Sequence, residues 1–130
     1  MDPKRLKAIK VFASLDDQTL KSIATFATET SVPEGKHLVK EGDYAYELMA
    51  IEEGEAEVLR DGRPVATLGA GDFFGEIGVL EKSLRTASVV AKTPMRLVTL
   101  SHWDLKRLGD AMDEITATLR ERKAADNLGG

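Results

Sequence analysis

The sequence predicts a mainly β domain, an antiparallel sandwich or jelly roll, with helices at both ends. Three observations predict it. From Lys36 to Leu100, short apolar runs are divided by glycine turns at Gly42, Gly54, Gly62 and Gly71, the pattern of short antiparallel strands. On either side of this region apolar residues recur at helical intervals. The 130 residues are enough for one packed core and show no linker, internal repeat or low-complexity segment.

Each element has its own signal. Asp2 followed by Pro3 is a good helix start, and Leu6, Ile9 and Phe12 form a short apolar stripe behind it. Leu15, Asp16 and Leu20 match a hydrophobic staple around an N-cap, leading into Ile23, Ala24 and Ala27. The helical region is therefore placed at 1–31, closed by the turn Val32-Pro33-Glu34-Gly35. Strands are expected in "KHLVK", "YELMAIE", "EAEVLR", "RPVATLG", "TASVVA" and "MRLVTL". Asp61-Gly62 is a two-residue hairpin signal, because both positions favour positive φ. The β region runs over 32–100. Ser101 is an N-cap for a final helical region over 101–123, where Leu105, Leu108, Met112, Ile115 and Leu119 follow at intervals of 3, 4, 3 and 4. The tail 124–130 is expected to fray.

Composition removes several function classes. There is no cysteine, so disulfides, thiolate chemistry and cysteine-ligated metal centres are excluded. His37 and His102 stand alone, without metal-ligand spacing, and no metal or other cofactor is expected. The formal net charge of −4 argues against a domain whose main task is holding nucleic acid. The basic cluster Lys4, Arg5, Lys7 and Lys10 reads as a solvated face. No apolar stretch approaches a membrane span and the N-terminus is not a secretory signal, so the plain reading is cytoplasmic with no membrane contact.

The chemistry is concentrated in "GDFFGEIGVLEKSLRTASVVAKT". Glu76 lies inside an apolar run and Arg85 just before another. Residues 74–80 suit a single helical turn whose free backbone N–H groups attract an anion, above all phosphate. Gly75 and Gly78 allow a ligand close to the backbone. Arg85 can hold two phosphate oxygens at once. A carboxylate beside that phosphate needs a donor, and a sugar hydroxyl is the natural one. These features describe a pocket for a phosphorylated sugar. Residue types alone leave a second reading open, in which Glu76 pairs with Arg85 and simply closes the loop.

The segment "FGEIGVL-EKS-LRTASV" resembles the phosphate-binding cassette of cyclic nucleotide-binding domains, and the order of glycine turns and flanking helices extends the likeness over about residues 3–123. The resemblance implies an eight-stranded antiparallel jelly roll, or double-stranded β-helix, with N-terminal helices and a C-terminal lid helix, the cassette occupying 71–87. It implies that Arg85 holds the cyclic phosphate and Glu76 accepts from the ribose 2′-hydroxyl. Phe74, Gly75, Ile77 and Gly78 line the phosphate and ribose, and Ala87 matches the small residue near the arginine. Thr86 occupies a position used both by cGMP-responsive and by cAMP-binding members, and cAMP is the favoured ligand. Leu84 stands where the family has proline, which removes a preset φ and implies lower affinity.

The resulting expectation is a regulatory sensor domain rather than an enzyme, signalling through rearrangement of the cassette and the C-terminal helix. The heptad stripe is a surface for packing on the barrel, or for a protein partner or second copy. Asp72 reads as a turn residue, Trp103 as core or helix packing, and Thr116 and Thr118 as helix surface. A jelly roll kept as a protein-interaction module without nucleotide is the alternative. No output domain is present in these residues.

Overall fold

The caps at the N-terminus form as their residue types dictate. The computed structural model describes residues 1–10, 12–42, 47–74, 87–101 and 103–104. Asp2 accepts the Lys4 backbone N–H at 2.9 Å, and Pro3 opens helix α1 (Pro3–Leu6). Beyond Leu6 the chain leaves the α-helical path for a series of tight turns. The N–H of Ile9 donates to Leu6, that of Phe12 to Ile9 and that of Leu15 to Phe12, at 3.0, 3.0 and 3.1 Å. This explains why Leu6, Ile9, Phe12 and Leu15, at a constant interval of three, are all buried. Three-residue turns eclipse such side chains, whereas an α-helix would rotate them apart by about 60° per step.

Asp16 caps α2 (Asp17–Phe26), accepting from the Thr19 N–H at 2.7 Å, and the staple residues Leu15 and Leu20 are both buried. The helical region read as reaching residue 31 ends at Phe26. Thr28–Val32 is strand β1, with its first four side chains exposed. Thr28, Thr30 and Val32 suit extended backbone, but a polar edge strand has no apolar alternation to announce it.

The remaining strands are β2 (His37–Val39), β3 (Glu47–Glu53), β4 (Ala56–Arg60), β5 (Arg63–Leu68), β6 (Phe73–Phe74), β7 (Ser88–Ala91) and β8 (Met95–Ser101). With β1 they form, among the described residues, two four-stranded sheets, ordered β1-β8-β3-β6 and β2-β7-β4-β5. Every pairing is antiparallel. This is the eight-stranded jelly roll expected from the sequence. The hairpin between β4 and β5 turns on Asp61 and Gly62 at φ 53° and 76°, as the Asp-Gly signal requires.

Two apolar clusters result, because the central strands of the first sheet, β3 and β8, are buried on both faces. Leu48 and Ala50 of β3, with Val98 and Leu100 of β8, pack under Leu6, Ile9, Phe12, Leu15, Leu20 and Ile23. The alternate residues Ile51, Met95 and Leu97 face the second sheet, meeting Val39, Ala56, Val58, Leu68 and Val89. The period of two along each strand assigns the faces.

Gly54, between β3 and β4, has φ +97°, and a Cβ there would lie 2.5 Å from the Pro94 carbonyl oxygen and 2.8 Å from Met95 Cγ. Gly54→Ala should therefore cost at least about 2 kcal/mol, from a disfavoured φ and a backbone clash together. Urea unfolding with an unchanged m-value measures it. A loss below about 0.5 kcal/mol would show that the β3–β4 connection relaxes freely.

Lys4, Lys7 and Lys10 are exposed, as a solvated face requires, and three of the four basic side chains also make ion pairs within the chain. Arg5 donates to both carboxylate oxygens of Glu52 and, through Nη2, to Glu29 at 2.6 Å. Lys7 meets Asp17 at 3.2 Å and Lys10 meets Asp72 at 2.5 Å. Arg96 approaches Glu29 at 3.5 Å and Glu52 at 3.9 Å. The Arg5 hydrogen bonds hold the Glu52 carboxyl below its usual range against the opposing effect of burial. A lowered carboxyl pKa stabilises the fold above the unfolded value, near about pH 4, and the contribution fades as pH falls below it. Glu52→Gln should lower the melting temperature by a few degrees near neutrality. The gap from the parent protein should close in acid, and a gap independent of pH would rule out the ionic contribution.

Candidate functional site

The approach to the candidate segment is fixed by the turn at 69–72. Asp72 accepts the Gly69 N–H on Oδ2 at 2.8 Å, and its own N–H donates back to the Gly69 carbonyl at 3.0 Å. The same carboxylate pairs with Lys10 through Oδ1. Gly71 N–H donates to Ile51 and Ile51 N–H to Asp72, both at 2.8 Å, clamping the turn to β3. From the N-terminal segment, the Lys10 N–H donates to the Gly71 carbonyl at 2.9 Å. Asp72 is the turn residue that its type suggests.

The chain then enters β6, where Phe73 lies opposite Ala50 and Phe74 opposite Met49. Adjacent strand residues face opposite ways, so Phe73 joins the cluster under the N-terminal segment and Phe74 the cluster between the sheets. Ala87 is fully buried in the same inter-sheet cluster as Phe74. Of the predicted site residues, Phe74 and Ala87 are thus brought into one apolar cluster. Gly75, Glu76, Ile77, Gly78, Arg85 and Thr86 lie outside the described residues.

Strand registers locate this site within the roll. Phe74 approaches the end where β3 begins and β8 finishes, since Glu47 lies opposite Ser101. Ser101 Oγ accepts the Asp104 N–H at 3.1 Å, and Asp104 Oδ2 accepts the Ser101 N–H at 3.0 Å. This reciprocal capping box starts the C-terminal helical region, as expected of Ser101. Ser101 and Asp104 therefore stand at the end of the roll that Phe74 approaches. Trp103, read as core or helix packing, is instead 67% exposed, because it stands beside the cap at the start of that region. Leu105, Leu108, Met112, Ile115, Leu119, Thr116 and Thr118 lie outside the described residues.

One arrangement escaped the sequence. Ser88, directly after Ala87, accepts the Glu41 N–H on Oγ at 3.0 Å, and Glu41 Oε1 accepts the Asp61 N–H at 3.1 Å. Glu41 reads locally as a turn residue and Ser88 as an ordinary strand residue, and nothing in their spacing joins them. Among the described residues no group of three or more His, Asp or Glu side chains could hold a metal ion. No described helix is long and apolar enough to cross a membrane.

Comparison with known proteins agrees with this architecture. The family described as "Cyclic nucleotide-binding domain" matches residues 29–111. The cAMP-dependent protein kinase regulatory subunit of Schizosaccharomyces pombe is 34% identical over 124 residues, covering 94% of this chain and 30% of that protein. A cyclic nucleotide-gated potassium channel of Rhizobium etli is 32% identical over 123 residues, covering 95% and 34%. This chain thus spans about a third of each relative. A Geobacter metallireducens structure classed as cyclic nucleotide-binding aligns with a TM-score of 0.81 at 30% identity, covering 98% of this chain and 96% of that one.

Proposed function

We propose that this chain, which belongs to the cyclic nucleotide-binding domain family, is a receptor domain that takes cAMP in preference to cGMP and reports its occupancy through the C-terminal helical region. The observation that carries this reading is that Glu76 and Arg85, the two charged residues the pocket requires, both occur within the matched residues 29–111. Binding is the whole of its chemistry, in keeping with relatives that are a kinase regulatory subunit and a ligand-gated channel.

In this reading Arg85 pairs with the cyclic phosphate and residues 75–80 supply backbone N–H donors to it. Glu76 accepts the ribose 2′-hydroxyl, while Phe74, Gly75, Ile77, Gly78, Thr86 and Ala87 line the ligand. Phe74 and Ala87 hold the two ends of this segment in the core, so the polar residues between them work from fixed anchors. The capping box at Ser101 starts the C-terminal region at the same end of the roll, which suits a lid over the base. Occupancy shifts the population toward the closed form only insofar as the nucleotide binds that form better. The preference for cAMP takes its support from the fission-yeast relative, whose kinase is cAMP-dependent. The effector downstream is a protein partner or a second copy, met through the C-terminal helix, and the setting is the cytoplasm.

The test is calorimetric titration of cAMP and cGMP into protein that has been unfolded, stripped of carried-over nucleotide and refolded. Saturable binding with cAMP tighter than cGMP supports the reading. No heat and no thermal shift from folded protein would leave a jelly roll that serves a protein partner. Within the site, Glu76→Ala should weaken cAMP by about 1–3 kcal/mol and its 2′-deoxy analogue far less, since only cAMP loses a hydroxyl contact. Equal losses for both ligands would remove Glu76 from the ribose.

A further inference from the structure

We propose that Ser88 and Glu41 are positioning residues for the phosphate contact, an inference that rests on the receptor reading above. In the sheet order β2-β7-β4-β5, strand β7 is held on both sides. At its start Ser88 lies opposite Leu59 of β4, and Val89 opposite Val39 of β2. Ser88 is the first residue of β7, and Arg85 is three residues earlier in the sequence.

Two hydrogen bonds take over at this point. The Glu41 N–H, from the turn after β2, reaches the Ser88 hydroxyl, and the Glu41 carboxylate receives the Asp61 N–H from the β4–β5 hairpin. Asp61 is itself held in the left-handed region by that hairpin, at φ 53°. Glu41 therefore ties three elements together at the mouth of the candidate segment: the exit of β2, the tip of the β4–β5 hairpin and the first residue of β7. These bonds span 47 and 20 positions of sequence, so they report tertiary placement rather than a local turn.

Both bonds are exposed, so their contribution to global stability is small. Their effect on direction is larger. A guanidinium gains its bidentate contact only when its fork matches two phosphate oxygens, and a small rotation of the supporting backbone spoils that match. Ser88 and Glu41 set the direction in which the chain leaves β7 toward Arg85, without touching nucleotide themselves.

The experiment uses the full chain, stripped and refolded, with Ser88→Ala, Ser88→Thr and Arg85→Leu titrated in parallel. The probes are cAMP and its two phosphorothioate epimers, which differ only in which exocyclic phosphate oxygen is replaced by sulfur. Ser88→Ala should raise the dissociation constant for cAMP roughly three- to tenfold. It should also narrow the affinity ratio between the epimers while leaving the melting temperature of nucleotide-free protein within about one degree of the parent. Ser88→Thr, which keeps the hydroxyl, should restore both affinity and ratio. Unchanged affinity in Ser88→Ala overturns the assignment. So does a uniform loss across all three probes accompanied by a lower melting temperature, the outcome for a merely structural bond. If the unsubstituted chain binds none of the probes, the receptor reading falls and this inference with it. Binding by that chain, abolished in Arg85→Leu but untouched in Ser88→Ala, removes only the positioning role.

Discussion

Arg85→Leu should raise the dissociation constant for cAMP by a factor of roughly a hundred to several thousand, equivalent to about 3–5 kcal/mol. The size of the effect follows from what is left behind. The phosphate would still be drawn from water by the backbone donors and the apolar walls, but its charged partner would be gone. An uncompensated buried charge costs more than the pair contributed. Arg85→Lys should fall between the two, because a lysine restores the charge without the planar fork. The melting temperature of the nucleotide-free protein should change little in both variants, which separates a ligand contact from a structural ion pair. If Arg85 merely closed the loop against Glu76, the nucleotide-free protein would lose stability and any cAMP affinity would survive.

Phe74→Ala should cost the folded domain about 3–5 kcal/mol, the range for deleting a large buried ring. Phe74 is 2% exposed and packs in the inter-sheet cluster with Val39, Ile51, Val58, Leu68 and Ala87. Across the ladder it lies opposite Met49 of β3. A domain of ordinary stability, about 5–15 kcal/mol, would survive this loss with little margin. Urea unfolding at low temperature measures it, and Phe74→Leu should recover more than half. Cyclic AMP affinity, taken where the variant is still folded, should fall as well, since the ring anchors the start of the binding segment. A stability loss below about 1 kcal/mol would mean that the cavity collapses and that Phe74 is no anchor.

Which elements could be read from the sequence follows from how each is stabilised. Strands β3 and β8 are buried on both faces and declare themselves as apolar runs, and the Asp61-Gly62 turn and the caps at Asp2, Asp16 and Ser101 are local chemistry written in adjacent residues. Strand β1 stays hidden because it is a polar edge whose stability comes from pairing with β8. Strand β6 is hidden because Phe74 falls in the run whose composition suits a helical turn. The tight turns after Leu6 look like helix because intervals of three occur in both geometries. At the site, the residue types in 71–87 announce an anion pocket, and the structure places two of these residues, Phe74 and Ala87, in one cluster. Ties such as Lys10 to Asp72 and Glu41 to Ser88 join residues far apart in the chain, and no pattern in a single sequence encodes them.

The buried outer face of the first sheet bears on where this domain can be cut. The family match begins at residue 29, but seven of the twelve buried residues in the cluster over that face, from Leu6 to Ala24, come earlier. A protein trimmed to the matched boundaries would present Leu48, Ala50, Phe73, Val98 and Leu100 to water as one contiguous greasy surface. Such a truncation would be recovered from inclusion bodies or as soluble aggregates rather than as a monomer. The working boundary for expression, and for grafting this sensor onto another protein, therefore lies before Pro3.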